Sequence, residues 1–274
     1  MKRFVSMTVA TLVAAFCLAL ASSALGQGLN YPDMMYFKMN GSSYSSPVND
    51  AFPRVGNSSA SYNYYTSSYT MNNTTGVVRN AANTSTTGAR YPANWTSSYG
   101  YYADTGYNFD IKPTDSCTVE FWARSWNYYS SYSYAFGTSS NGYFSAYQQS
   151  NRVYFYFGNY RIDSNVNNYR SPTSSTWTHY AMVYDGPNRQ LRTYIDGNLS
   201  NTSNNVNPNQ SAQRVYLFNY RSYYGCCSAY YKMYGYLDEL RFWRRARTQQ
   251  EIAANKDNEL TKPSGFFAGT KGGL

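Results

Sequence analysis

From about Tyr99 onward the chain is a succession of short segments whose side chains alternate in character with period two. Between Ser116 and Arg124, Val119, Phe121 and Ala123 fall on one side while Thr118, Glu120, Trp122 and Arg124 fall on the other, the pattern of a strand with two dissimilar faces. Tyr143-Phe-Ser-Ala-Tyr147, Arg152-Val-Tyr-Phe-Tyr-Phe157, Thr178 to Tyr184, Leu191 to Ile195, Arg214 to Phe218 and Tyr236 to Trp243 continue the series. Turn-formers separate them, as in Ser139-Ser-Asn-Gly142 and Asp185-Gly-Pro-Asn188. One short helix is expected from Thr248 to about Asn255, where Thr248 caps the first turn and Glu251 closes a capping box. The prediction is an all-β, two-sheet antiparallel sandwich with a single C-terminal helix.

Composition narrows the setting. Tyr occurs 33 times and charged residues make up only 14%, a balance opposite to that of disordered chains. Met1-Lys-Arg3 followed by an apolar run to Leu20 and small residues reads as a signal peptide over 1–26, so a secreted protein at the cell surface or beyond is expected, with no transmembrane segment in the mature chain. Export removes nucleic acid from the partners that a formal charge of +9 would otherwise suggest, and leaves anionic polysaccharide or a membrane surface. Residues 27–98 form a Tyr-, Asn- and Ser-rich elaboration with Met34 to Met39 as its clearest strand and with turn signals at Asn72-Asn-Thr-Thr-Gly76 and Thr84-Ser-Thr-Thr-Gly88. Residues 257–274 read as a tail. Cys117, Cys226 and Cys227 are the disulfide candidates of the exported chain, and their odd number leaves three pairings open. With one histidine, His179, and no Cys-x-x-Cys pair, the sequence excludes a zinc site of the usual spacing.

Four segments in order, Thr118-Val-Glu-Phe-Trp-Ala-Arg124, Trp177 to Gly186, Leu191 to Gly197 and Gly235-Tyr-Leu-Asp-Glu-Leu-Arg-Phe-Trp243, resemble the laminin G-like, concanavalin A-like lectin/glucanase superfamily. The resemblance implies a jelly-roll core over 99–256, opened by Met34 to Met39 pairing near the C-terminal strand. It implies a secreted binding module for glycans or proteins. It also makes neighbours of the strands that carry Glu120 and Arg241, which are expected to form a structural polar pair. Related modules hold calcium at a sandwich edge, so a structural Ca2+ is the cofactor to test; the contributors here, Asp104, Asp110, Asn141 and Asp238, form no compact motif. Glucanases of the superfamily carry a Glu-x-Asp-x-x-Glu run, which this chain lacks. Its strand acids are Glu120, Asp238 and Glu239, and the adjacent last two should point to opposite faces, so no enzyme is expected.

The tyrosines remain. Tyr128, Tyr129, Tyr132 and Tyr134 occur in one Ser-rich stretch, read as a loop, and Tyr223, Tyr224, Tyr230 and Tyr231 in another. A phenol offers a flat apolar face with a hydroxyl at its edge, suited to sugars and to interfaces. These eight residues are the expected contact surface, whereas Tyr154 and Tyr156 read as core or sheet surface. The functional expectation is a non-catalytic binding or adhesion module for polysaccharide or glycan; the alternative is a self-associating subunit of an extracellular filament, sheath or matrix.

Overall fold

The computed structural model describes residues 31–38, 50–51, 61–63, 72–75, 87–90, 102–127, 132–138, 143–167, 169–219, 231, 233–258 and 260. The chain divides into two compact units, Pro32–Glu259 and a second made of Met1–Tyr31 with Leu260–Leu274, in which only Tyr31 and Leu260 are described. The expected signal peptide therefore lies outside the described residues.

Two antiparallel sheets make up the first unit. In the first sheet the order is β13 (Asn198–Ser203), β12 (Gln190–Ile195), β11 (Thr178–Asp185), β6 (Cys117–Asn127), β15 (Tyr234–Trp243), β4 (Thr87–Arg90) and β3 (Asn72–Thr75), with β1 (Met35–Phe37) also on β15. The second sheet runs β10 (Tyr160–Asp163), β9 (Arg152–Phe157), β8 (Phe144–Gln149), β7 (Ser133–Thr138), β14 (Gln210–Leu217), β5 (Tyr102–Ile111) and β2 (Ser61–Asn63). A single helix among the described residues, α1 (Gln249–Asn255), follows β15 with the expected capping box.

Alternation decides what each strand buries. Val119, Phe121 and Ala123 of β6 enter the core between the sheets, as do Val153, Phe155 and Phe157 of β9. Rings from opposite sheets meet there: Phe136 of β7 lies 5.2 Å from Phe242 of β15, and Phe121 lies 6.1 Å from Phe155. Each such side chain removed from water contributes about 1.5–3 kcal/mol. The outer face of the first sheet is not left to solvent. Ala181, Val183 and Tyr194 pack with Ile252 of α1, and the Trp122 indole donates to the Lys256 carbonyl at 2.8 Å.

Two glycines are dictated by close approach. At Gly235 a Cβ would stand 2.7 Å from the Trp126 backbone, where the register of β15 on its neighbour β6 shifts, and at Gly197 it would stand 2.9 Å from Ala253 of α1. Gly197 also turns the β12–β13 hairpin at φ +80°, beside Asp196 at +51°, the paired positive values that a tight two-residue hairpin turn demands.

Two local expectations need correction. Asn72–Thr75, read as a turn signal, is a strand paired with Thr87–Arg90, since its backbone finds ladder partners that outweigh the turn preference of Asn; the first residues of the other signal, 84–86, lie outside the described residues. Ser133 and Tyr134, read as the end of a loop, open β7 in the middle of the second sheet, held by β8 and β14. Just beyond α1, the Asn258 carbonyl accepts from Arg241 Nη2 at 2.5 Å.

Candidate functional site

On β9 the inward Val153, Phe155 and Phe157 leave Tyr154 and Tyr156 on the outer face of the second sheet. Cross-strand register aligns further tyrosines with them, because residues directly opposite on antiparallel strands share a face. Tyr147 of β8 stands opposite both Tyr134 of β7 and Tyr154. The result is a ladder. Tyr134 and Tyr147 stack with centroids 5.1 Å apart, and Tyr147 stacks on Tyr154 at 5.5 Å and on Tyr156 at 5.7 Å. Tyr132 lies 5.5 Å from Tyr147 and 5.8 Å from Tyr231, closing the β7 end. At the other end, opposite Tyr156, Arg161 of β10 sets its guanidinium 4.2 Å over the Tyr154 ring.

Tyr134 and Tyr147 are buried by their neighbours, Tyr132, Tyr154, Tyr156 and Tyr231 are half-buried, and Arg161 is exposed. Burial pushes the Tyr147 phenol up, against the opposing pull of Arg161, so it stays protonated at any physiological pH. Tyr134 and Tyr147 therefore form a buried base, and the accessible part of the ladder is Tyr132, Tyr154, Tyr156 and Tyr231 with Arg161 beside them. Such a surface combines apolar ring area with phenol and guanidinium hydrogen-bonding groups.

Of the eight expected tyrosines, Tyr132, Tyr134 and Tyr231 come together in this ladder; Tyr128, Tyr129, Tyr223, Tyr224 and Tyr230 lie outside the described residues. Tyr147, Tyr154, Tyr156 and Arg161 were not among the expected site residues. The alternation of Arg152 to Phe157 puts Tyr154 and Tyr156 on one face without saying which, and only the register across β7 to β10 joins them to Tyr134 and Tyr147.

The expected metal ligands are not brought together. Asp104 of β5 pairs with Arg214 at 2.8 Å, Asp110 pairs with Lys112 at 3.0 Å, and Asp238 belongs to the other sheet, while Asn141 lies outside the described residues. No group of three or more His, Cys, Asp or Glu able to hold a metal occurs among the described residues. Cys117 is a buried free thiol, its pKa pushed far up by burial, and Cys226 and Cys227 lie outside the described residues.

Glu120 and Arg241 do meet, with Arg241 Nη1 donating to Glu120 Oε1 at 3.1 Å. They belong to a larger buried network under α1. Arg247 Nη1 donates to Glu120 Oε2 at 2.8 Å, Arg241 Nη2 to Glu239 Oε2 at 2.6 Å, and the Tyr36 hydroxyl to the same Glu239 oxygen. Glu239 reaches Arg241 from a bulge between Asp238 and Arg241, with φ +50°. The extra residue corrects the simple alternation: Asp238, opposite Trp122, and Glu239 both serve the α1 side of the sheet. Burial acting alone would push the Glu120 carboxyl up, but Arg247 and Arg241 outweigh it and hold it below the ordinary range. Burial lowers His179 to about 4, so its ring, 3.8 Å from Glu120, is neutral at pH 7. An ionised carboxylate locked between two guanidinium groups has no proton to donate.

A cavity of about 510 Å³ opens elsewhere on the unit, lined in part by Tyr107, Phe109, Cys117 and Phe157. Its Lys112 and Arg245 are already matched by Asp110 and by Glu251 at 2.8 Å.

The solved structures similar to this chain include the binding domain of botulinum neurotoxin serotype D (8% identity, TM-score 0.52, covering 82% of this chain and 51% of that one) and that of serotype G (11%, 0.51, 80% and 49%). A heptameric SAP-like pentraxin from Limulus polyphemus is also similar, at 16% identity and a TM-score of 0.48, with 63% of this chain and 83% of that one covered. The chain spans about half the length of the neurotoxin domains, and at such identities the likeness is one of fold. No curated protein matches the sequence. The family model Laminin_G_3 matches residues 96–253, which contain every ladder residue, and the chain belongs to the concanavalin A-like lectin/glucanases superfamily.

Proposed function

We propose that this protein is a secreted, non-catalytic module that binds polysaccharide or glycan through the tyrosine ladder of its second sheet. The observation that carries the reading is the ladder itself: six tyrosines, Tyr132, Tyr134, Tyr147, Tyr154, Tyr156 and Tyr231, meet on the outer side of one sheet with an arginine at its edge. A fold does not imply a ligand, so the argument rests on the site. Phenol hydroxyls match sugar hydroxyls as donors and acceptors, and aromatic anchors commonly dominate binding energy. Buried Glu120 is held ionised between two guanidinium groups, which supports a role without catalysis. Among the described residues no helix is long and apolar enough to cross a membrane.

The test is retention in polysaccharide-containing gels by the wild type and by a Tyr154→Ala/Tyr156→Ala variant. At about 1–3 kcal/mol per lost aromatic anchor, the variant is expected to bind at least about 10-fold more weakly while its circular dichroism is unchanged. Unchanged retention would overturn the assignment of this face. Size in solution, measured on the same samples, checks the self-associating alternative, which predicts a wild-type assembly that the variant dissolves.

A further inference from the structure

We infer that the ligand of the tyrosine ladder is an acidic polysaccharide, whose carboxylate or sulfate groups are received by Arg161. This deepens, and rests on, the reading of the ladder as a glycan surface. Its own basis is the charge arrangement along β9 and β10. Three charged residues share the outer face there: Arg152, Arg161 and Asp163. The single carboxylate is committed to Arg152, whose Nη1 lies 2.5 Å from Asp163 Oδ2, and its other oxygen accepts from the Asn165 amide at 2.7 Å. Arg161 has no carboxylate partner among the described residues, yet it is not a wandering surface chain. Its guanidinium carbon sits over the Tyr154 ring, 4.2 Å from the centroid, and Tyr154 is in turn stacked on Tyr147.

A guanidinium held over a ring face is restrained in place while its fork of N–H groups can still receive a planar or tetrahedral oxyanion with two parallel hydrogen bonds. The rotamer entropy that normally weakens an exposed ion pair is largely lost before the ligand arrives, so this cation is preorganised. The next charged pair on the same sheet, Arg214 with Asp104 at 2.8 Å, is internally neutral. The unbalanced charge therefore sits at the Arg161 end of the ladder, where an acidic sugar can lie across the phenols with its anion in the fork. The formal charge of +9 favours approach of such a polymer without fixing where it lands.

The experiment measures retention of the full exported chain in gels containing polygalacturonate, dextran sulfate or uncharged dextran, with Arg161→Gln, Arg161→Lys and Arg189→Gln as variants. Arg189 lies in the β11–β12 hairpin of the other sheet, so its variant removes the same charge away from the ladder. The expected result is tighter wild-type binding to at least one acidic polymer than to dextran, a loss of about 10-fold in Arg161→Gln, a smaller loss in Arg161→Lys, and no change in Arg189→Gln. Preference for polygalacturonate identifies a carboxylate ligand, and preference for dextran sulfate a sulfate. Equal losses in Arg161→Gln and Arg189→Gln would reduce the effect to bulk charge and overturn the inference. So would undiminished binding of dextran, in which case the glycan reading survives through the tyrosines. Retention by none of the three polymers overturns the inference, and if Tyr154→Ala/Tyr156→Ala also leaves retention on a wider glycan panel unchanged, the glycan reading falls with it.

Discussion

Glu120 and His179 sit within one network but respond to acid for different reasons. His179 is buried, and neither ring nitrogen makes a hydrogen bond among the described residues, so burial lowers its pKa to about 4 from an ordinary 6.5. Between those values the unfolded chain binds the proton and the folded one does not, so stability is complete above about pH 6.5 and falls as the pH drops toward 4. A shift of that size corresponds to on the order of 3 kcal/mol. His179→Leu is expected to flatten chemical-denaturation stability between pH 4.5 and 6.5; a slope identical to wild type would assign the dependence to another group. The lowered Glu120 carboxyl adds a second loss below its ordinary titration range, as acid neutralises the partner of Arg241 and Arg247. Glu120→Gln removes that charge at every pH, leaving buried Arg247 without the carboxylate it faces and Arg241 with Glu239 alone. It is expected to cost about 3–5 kcal/mol at pH 7, read from denaturant midpoints.

At the scale of elements, α1 is too short to persist alone and is held by what it touches. The Thr118 hydroxyl donates to the Arg245 carbonyl at 2.7 Å and accepts from the Arg247 amide at 3.0 Å, which fixes the turn before the helix. Gly197 then admits Ala253 against the β12–β13 hairpin. Gly197→Ala meets two penalties together, a positive φ and a Cβ pressed on the helix backbone. It is expected to destabilise by about 1–3 kcal/mol, lowering Tm by about 2–4 °C per kcal/mol for a unit of this size. Thermal scans check this, and a variant as stable as wild type would show that the hairpin and helix separate freely.

Across the whole first unit, the two sheets are joined by rings, and the ladder depends on that joint without being part of it. Phe136 touches Phe242 across the core, and its β7 also presents Tyr134 to the ladder. Phe136→Ala is expected to cost about 3–5 kcal/mol in denaturant-measured stability, because a cavity opens between layers that can close on it only in part. Substitutions at the half-buried Tyr154 and Tyr156 should leave that stability nearly unchanged, since they remove no volume from between the sheets, whereas the buried Tyr147 would not be so spared. This contrast between core and face separates binding variants from folding variants in one set of measurements.

The sequence by itself determined the sandwich, the two dissimilar faces of β6 and the capped helix, because alternation and capping are properties of neighbours along the chain. The meeting of Glu120 with Arg241 was legible through the family resemblance, which places their strands side by side. Tertiary structure alone decided the rest. Ser133–Thr138 becomes a strand because β8 and β14 accept it, Glu239 turns toward Arg241 because a bulge adds one residue, and Asp104, Asp110 and Asp238 stay apart because strands hold them at separate places. The ladder belongs with these. Tyr134, Tyr147 and Tyr154 stack because strands remote in sequence pair in one register, and a register is fixed only when both faces of a sheet have found their surroundings.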